Sequence, residues 1–235
     1  MSNKIINITA KASFFIQIVT GAIDIYVLRY DLDEKNNILR QLLILELIVQ
    51  IVEGTFYFWL INSFDKIKNI TSYRYYDWAI STPTMLLTLI VYLIYLKNIE
   101  ESKSDPNSNS NSVVLDLFQI VEDNKKIIIQ ILLLNELMLY FGYLGETNKL
   151  TSKQSFILGI IPFLIYYKMI YDNFAKYTEV GKKIYNYFFF VWLLYGFASL
   201  GTYEIKNTIY NILDLFAKNF FGLYLSYLIY KNKTN

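Results

Sequence analysis

The stretch Tyr210–Tyr230, YNILDLFAKNFFGLYLSYLIY, decides the fold. It is apolar over the roughly 20 residues that a helix needs to cross the hydrocarbon region of a bilayer. Yet it contains Asp214 and, one helical turn later, Lys218. A charge inside such a segment is costly and marks function. The i,i+4 spacing sets both groups on one helix face. Lys218 is mid-segment, too far from either end for its amine to reach the headgroups. The reading is a buried site in which Asp214, joined by Asp77 from an earlier segment, neutralises the lysine.

Working outward from this segment, taken as Thr208–Tyr230, six more apolar runs precede it: Thr9–Leu28, Ile38–Ile61, Tyr73–Leu96, Lys126–Leu144, Ser155–Tyr171 and Ile184–Leu200. The expected fold is all-α, a single domain over residues 1–235 built as a seven-transmembrane-helix bundle. Composition agrees: 54% of residues are hydrophobic and only 18% charged, against roughly a quarter charged in soluble domains. Tyr-rich flanks such as YLIY suit the membrane interfaces. The N-terminus, MSNKIINITAK, has no cleavage-site pattern, so the first helix is expected to be its own insertion signal.

There is no cysteine and no histidine. Thiolate chemistry and imidazole are thereby excluded, no metal site is expected, and any proton must be handled by carboxylates. A net charge of +2 argues against nucleic acid as a partner. The partners expected are the lipid bilayer and cations or protons, and no enzymatic activity is expected.

Connections are short except KNIEESKSDPNSNSNS, which makes residues 98–112 a flexible loop. The VVLDLFQIVEDNKK that follows either lies along the membrane surface or lengthens the fourth helix. One side of the bundle collects Arg29, Lys35, Arg40, Lys97, Lys103, Lys125, Lys126, Lys168, Lys176, Lys182, Lys183, Lys231 and Lys233. The other collects Lys4, Lys11, Lys66, Lys68, Lys149, Lys153 and Lys206. The positive-inside rule then sets the C-terminus in the cytoplasm and the N-terminus outside.

The charged residues inside or near the ends of the segments are Asp24, Glu46, Glu53, Asp77, Glu136, Asp214 and Lys218, with Arg74 one turn before Asp77. For Asp24, near an end, snorkelling to the headgroups is an equal alternative to burial. Lys218 has two physical roles open to it. It is either a nucleophile that forms a Schiff base with an aldehyde, or half of a structural ion pair. Trp78, Trp192 and Tyr195 supply flat walls for a long conjugated ligand, or plain packing. Glu46, Gln50 and Glu53 recur at i, i+4 and i+7, one helix face. Such a stripe lines a hydrated, cation-attracting path, or its glutamates are neutral and hydrogen-bonded inside the bundle.

The motifs RYYDWAISTPTMLL in the third segment and DLFAKNFFG in the seventh, with WLLYG in the sixth and FGYLGE in the fourth, resemble the microbial (type I) rhodopsins over essentially the whole chain. The resemblance implies all-trans-retinal bound to Lys218 as a protonated Schiff base, with Asp77 and Asp214 its counterions and Arg74 on their extracellular side. It implies that Trp78 and Trp192 sandwich the polyene and that Tyr195 hydrogen-bonds the second counterion. Thr82 and Asn135 fall where a polar pair joins the third and fourth helices, and Gly142 falls near the ionone ring. Relatives form oligomers, which implies a homo-oligomer whose number no small-xxx-small pattern here selects.

The departures decide the expected activity. Along the third helix, Asp77 holds the acceptor position, Ser81 is a hydroxyl one turn on, and Thr88 holds the donor position, where proton pumps commonly have a carboxylate. Gly196 and Ser199 stand where relatives usually have a proline and a third pocket tryptophan, which opens the pocket. The second-helix stripe resembles the pore-lining row of channelrhodopsins. Together with Asn219 after the lysine, it also resembles the rhodopsins of large algal viruses. Glu204, near the outer end, is a candidate release or gate group, or an interface residue. The activity expected is a light-activated cation channel lined by Glu46, Gln50 and Glu53. The alternatives are a light-driven outward proton pump or a sensory rhodopsin.

Overall fold

A computed structural model describes residues 2–104 and 114–234. Seven helices follow in order: α1 Ser2–Val27, α2 Ile38–Ser63, α3 Ile70–Ser104, α4 Leu117–Glu146, α5 Ser152–Asn173, α6 Glu179–Ala198 and α7 Tyr203–Lys231. Six of them are long and apolar enough to span a membrane among the described residues. The other, α6, opens on the polar turn Glu179, Lys182 and Lys183 before its apolar run begins at Ile184. An odd number of antiparallel helices leaves the termini on opposite ends of the bundle, called here the N-terminal and C-terminal faces.

The helices start where side chains can satisfy their free N–H groups. Asp116 caps α4 by accepting from Phe118 N and Gln119 N, and these backbone donors, Gln119 foremost, hold its carboxyl below the usual range. Thr151 and Gln154 form a capping box on α5. Thr178 and Thr202 cap α6 and α7. Beyond the end of α4, Asn148 takes a left-handed φ of 57°, a position that asparagine tolerates. Of the two readings of residues 113–126, the structure has the longer fourth helix, from Leu117 on. The third helix also outruns its apolar segment, and the Lys97–Glu101 pair at i,i+4 adds a little support to the extra turns. Residues 98–104, expected in the flexible loop, therefore belong to α3, and the rest of that loop, 105–112, lies outside the described residues.

The bundle's largest apolar core fills its C-terminal half, where Leu42, Leu86, Leu89, Ile90, Tyr166, Phe188 and Leu225 are buried. Isoleucine, leucine and aromatic side chains on the outer faces, such as Ile51, Tyr76, Leu133 and Phe190, stay exposed, as lipid-facing positions do. The helix α7 is not uniform. A π-helical turn, Leu215–Asn219, interrupts it, so that Phe220 N–H bonds to Leu215 O. Phe216 O accepts from Tyr187 OH of α6 at 2.5 Å. Single π turns of this kind mark functional sites.

Candidate functional site

Lys218 is in that π turn and is only 2% exposed. Its Nζ donates to Asp77 Oδ2 of α3 at 2.9 Å. Glu53 Oε1 of α2 is 3.6 Å away, and Asp214 Oδ1, one turn back on α7, is 3.9 Å away. The three carboxylates come from three helices. That convergence makes the buried ammonium tolerable, since an unpaired charge there would be prohibitive. The pairing of Lys218 with Asp214 and Asp77 read from the sequence is present, and Glu53 joins them from the second-helix stripe.

Asp214 is the most firmly held of the three. Tyr57 OH donates to its Oδ2 at 2.6 Å and Tyr195 OH to its Oδ1 at 2.7 Å. Arg74 Nη1 donates to the same Oδ2 at 3.3 Å. Arg74 is 1% exposed, and a guanidinium buried so deeply needs acceptors for its five N–H groups. It finds Asn207 Oδ1 at 3.2 Å, Asn211 Oδ1 and the Tyr57 hydroxyl as well. The two asparagines are braced in turn by Thr71, Thr9 and Ile6 O. Asp77 has fewer ties: it accepts from Lys218, with the Ser81 hydroxyl beside it one turn on.

On the other side of Lys218, toward the C-terminal face, the polar groups continue. Thr20 Oγ1 of α1 donates to Asn219 Oδ1 at 2.6 Å. Glu46 is fully buried beside the Thr88 hydroxyl, within electrostatic reach of Lys218. Asp24 is fully buried too, so of its two readings the snorkelling one fails. It accepts from Gln50 Nε2 at 2.6 Å and from Ser226 Oγ at 2.5 Å. The stripe Glu46, Gln50 and Glu53 thus faces inward along its whole length. Its counterpart on α1, the buried Ser13, Gln17, Thr20 and Asp24, was not recognised in the sequence as a stripe. Its i, i+4, i+7, i+11 spacing was the available signal.

The remaining positions divide in the same way. A cavity of about 110 Å³ adjoins Lys218 and is walled by Trp78, Trp192, Tyr195, Met138, Phe163 and Gly142. Asn135 Nδ2 donates to Thr82 Oγ1 at 2.7 Å, joining α4 to α3 beside this cavity. A side chain on Gly142 would run into the Tyr75 ring, so the cavity is kept open there. Gly196 and Ser199 also line it. Glu204 is partly exposed on the first turn of α7, away from the Lys218 cluster. Beside it, Lys206 pairs with Glu146 at 2.6 Å, a pair the sequence did not announce. An amine at the end of an aromatic-walled, apolar cavity, with carboxylates against it, fits retinal joined to Lys218.

Comparison with known proteins agrees. The family description "Bacteriorhodopsin-like protein" matches residues 8–232. No curated protein matches the chain significantly. Among solved structures, the viral rhodopsin OLPVRII is 27% identical, with a TM-score of 0.79 over 97% of this chain and 99% of its own. The rhodopsin of Exiguobacterium sibiricum is 16% identical, with a TM-score of 0.72 over 97% and 96%. The proton-pumping rhodopsin AR2 of the marine alga Acetabularia acetabulum is also 16% identical, with a TM-score of 0.69 over 97% and 95%. At such identities the last two attest the fold alone. With the family matched over nearly its full length, the chain belongs to the bacteriorhodopsin-like proteins, the microbial rhodopsins: multi-pass membrane proteins that use retinal for light-driven transport and are not enzymes.

Proposed function

We propose that the chain moves protons outward across the membrane in light, with its N-terminus outside and its C-terminus in the cytoplasm. The observation that carries this reading is the placement of carboxyl groups on both sides of one buried amine. Asp77 is in contact with Lys218 Nζ, and Glu46 and Asp24 are sealed into the C-terminal half. All-trans-retinal bound to Lys218 supplies light absorption and a light-driven turn of the N–H bond. Asp77, whose Oδ2 already accepts from Nζ at 2.9 Å, is the acceptor for the proton on Nζ. Asp214, fixed by Tyr57, Tyr195 and Arg74, is the stationary counter-charge.

Thr88 is no proton donor at ordinary pH, but Glu46 stands beside it from the neighbouring helix. Glu46 is therefore assigned the donor's task, and Glu53, 3.6 Å from Nζ, links the two halves. This part of the bundle buries two cations, Arg74 and Lys218, and five carboxyl groups, Asp24, Glu46, Glu53, Asp77 and Asp214. Burying unpaired charge is costly, so the surplus carboxyls serve as proton stores. The test is the pH around vesicles reconstituted with the protein and retinal. Light shifts it, a protonophore abolishes the shift, and D77N removes it while the coloured complex still forms. A D77N protein that transports at the native rate would overturn the assignment.

A second reading has its own support. The inward stripe of Glu46, Gln50 and Glu53, several of whose oxygens are unpartnered, also suits a hydrated cation path that opens in light. Current against voltage separates the two. A pump current keeps its sign across the cation equilibrium potential, and a channel current reverses there.

A further inference from the structure

Asp24 is not explained by a charge pair. It lies one turn before the end of α1, fully buried, in a seat made by three helices. Ser226 of α7 donates to Oδ1 and Gln50 of α2 donates to Oδ2. The backbone gives way for it. A Cβ on Gly222 would stand 2.6 Å from Asp24 Oδ2 and 2.8 Å from Gln50 Nε2, and one on Gly21 would stand 3.0 Å from Gln50 Oε1. Two glycines on facing helices thus leave room for one carboxyl–amide pair. Glu46, one turn before Gln50 on α2 and equally buried, is within electrostatic reach of Asp24. Between Asp24 and Lys218 stands Asn219, held by Thr20, with its Nδ2 unpartnered. A carboxyl held by two donors, with a second buried carboxyl within electrostatic reach, is placed to exchange a proton rather than to hold a cation.

We infer that Asp24 is a proton-exchange residue of the C-terminal half, the group that refills Glu46, with Gln50 and Ser226 as its positioning residues. This rests on the proton-transport reading above. In the step, the Asp24 O–H bond breaks and an O–H bond forms on the Glu46 carboxylate. Ser226 and Gln50 then donate to the Asp24 carboxylate, and a proton from the water at the C-terminal face restores it.

The experiment is the light-minus-dark infrared difference spectrum of the retinal-bound protein in membranes, read together with proton uptake by a pH-indicating dye. A protonated-carboxyl C=O band is expected that vanishes in D24N. Uptake in D24N is expected to slow about a hundredfold, as for loss of a positioned acid–base group. S226A keeps the carboxyl but removes its Oδ1 donor, so the band should move in frequency. An unchanged carboxyl region and unchanged uptake in D24N would make Asp24 a static brace and overturn the inference. If D24N does not fold, an unmoved band in S226A overturns it instead. Vesicles that show no light-driven pH change while the Asp24 band is present would sink the transport reading and leave the exchange role standing. Transport without that band would sink the exchange role alone.

Discussion

Arg74 shows what a single buried residue does here. Its guanidinium balances Asp214 and is shared among Tyr57, Asn207 and Asn211. Removing one member of a buried pair strands the other, a loss of about 3–5 kcal/mol. R74Q should therefore lower the thermal stability of the retinal-bound protein sharply, as followed by loss of its visible band on heating. R74K should recover part of it, since the charge returns without the fork of donors. Glu46 makes a different prediction. E46Q should leave the first proton transfer from Lys218 Nζ intact and slow the return of the proton about a hundredfold, the usual cost of removing an acid–base group. The rate at which the visible band recovers after a flash, compared between E46Q and the native protein, would check this. The charged members of the site were legible in the sequence because a charge in an apolar run has few explanations. Tyr57, Asn207, Asn211 and Thr20 were not, since neutral polar residues occur in membrane helices for many reasons. Only the fold shows which of them meet Arg74 or Asn219.

At the level of elements, seven hydrophobic runs identified the seven helices, but their ends could not be found that way. Hydropathy stops at the membrane surface, whereas helices continue until a cap or a turn stops them. Hence α4 begins at its cap Asp116 and α3 continues past Leu96. The polar face of α1 was harder to see because Ser13, Gln17 and Thr20 carry no charge. Its fit against α7 depends on Gly222, where the facing carboxylate leaves no room for a methyl group. G222A should destabilise the protein by about 1–3 kcal/mol, the range for overpacking a filled interior. A D24N/G222A double mutant should suffer almost as much, because the amide occupies the same volume. A melting temperature for G222A equal to wild type would show that α1 and α7 can part freely at this point.

For the whole molecule, the polar residues form one column between α1, α2 and α7, from Asn211 at one end to Asp24 at the other, with Lys218 at its waist. Current–voltage curves recorded under ion substitution should show an outward current that does not change sign. A reversal that tracks the cation gradient would assign the same column to passive conduction. The fold of the whole was readable from the sequence because seven spans and one buried lysine constrain it tightly. The choice between the two transport modes was not, since a closed column of carboxyls is compatible with either. One local irregularity bears on how that column works. The π turn around Lys218 winds one residue more than an ordinary α-helical turn, and Tyr187 of α6 grips its Phe216 carbonyl from outside. Such a turn stores slack. A bulge of this type can migrate by a residue, carrying the amine along the axis while Asn211 and Ser226, beyond its two ends, keep their grip on α1. A one-residue shift of that turn would change which carboxyl the amine meets while both ends of α7 stay anchored.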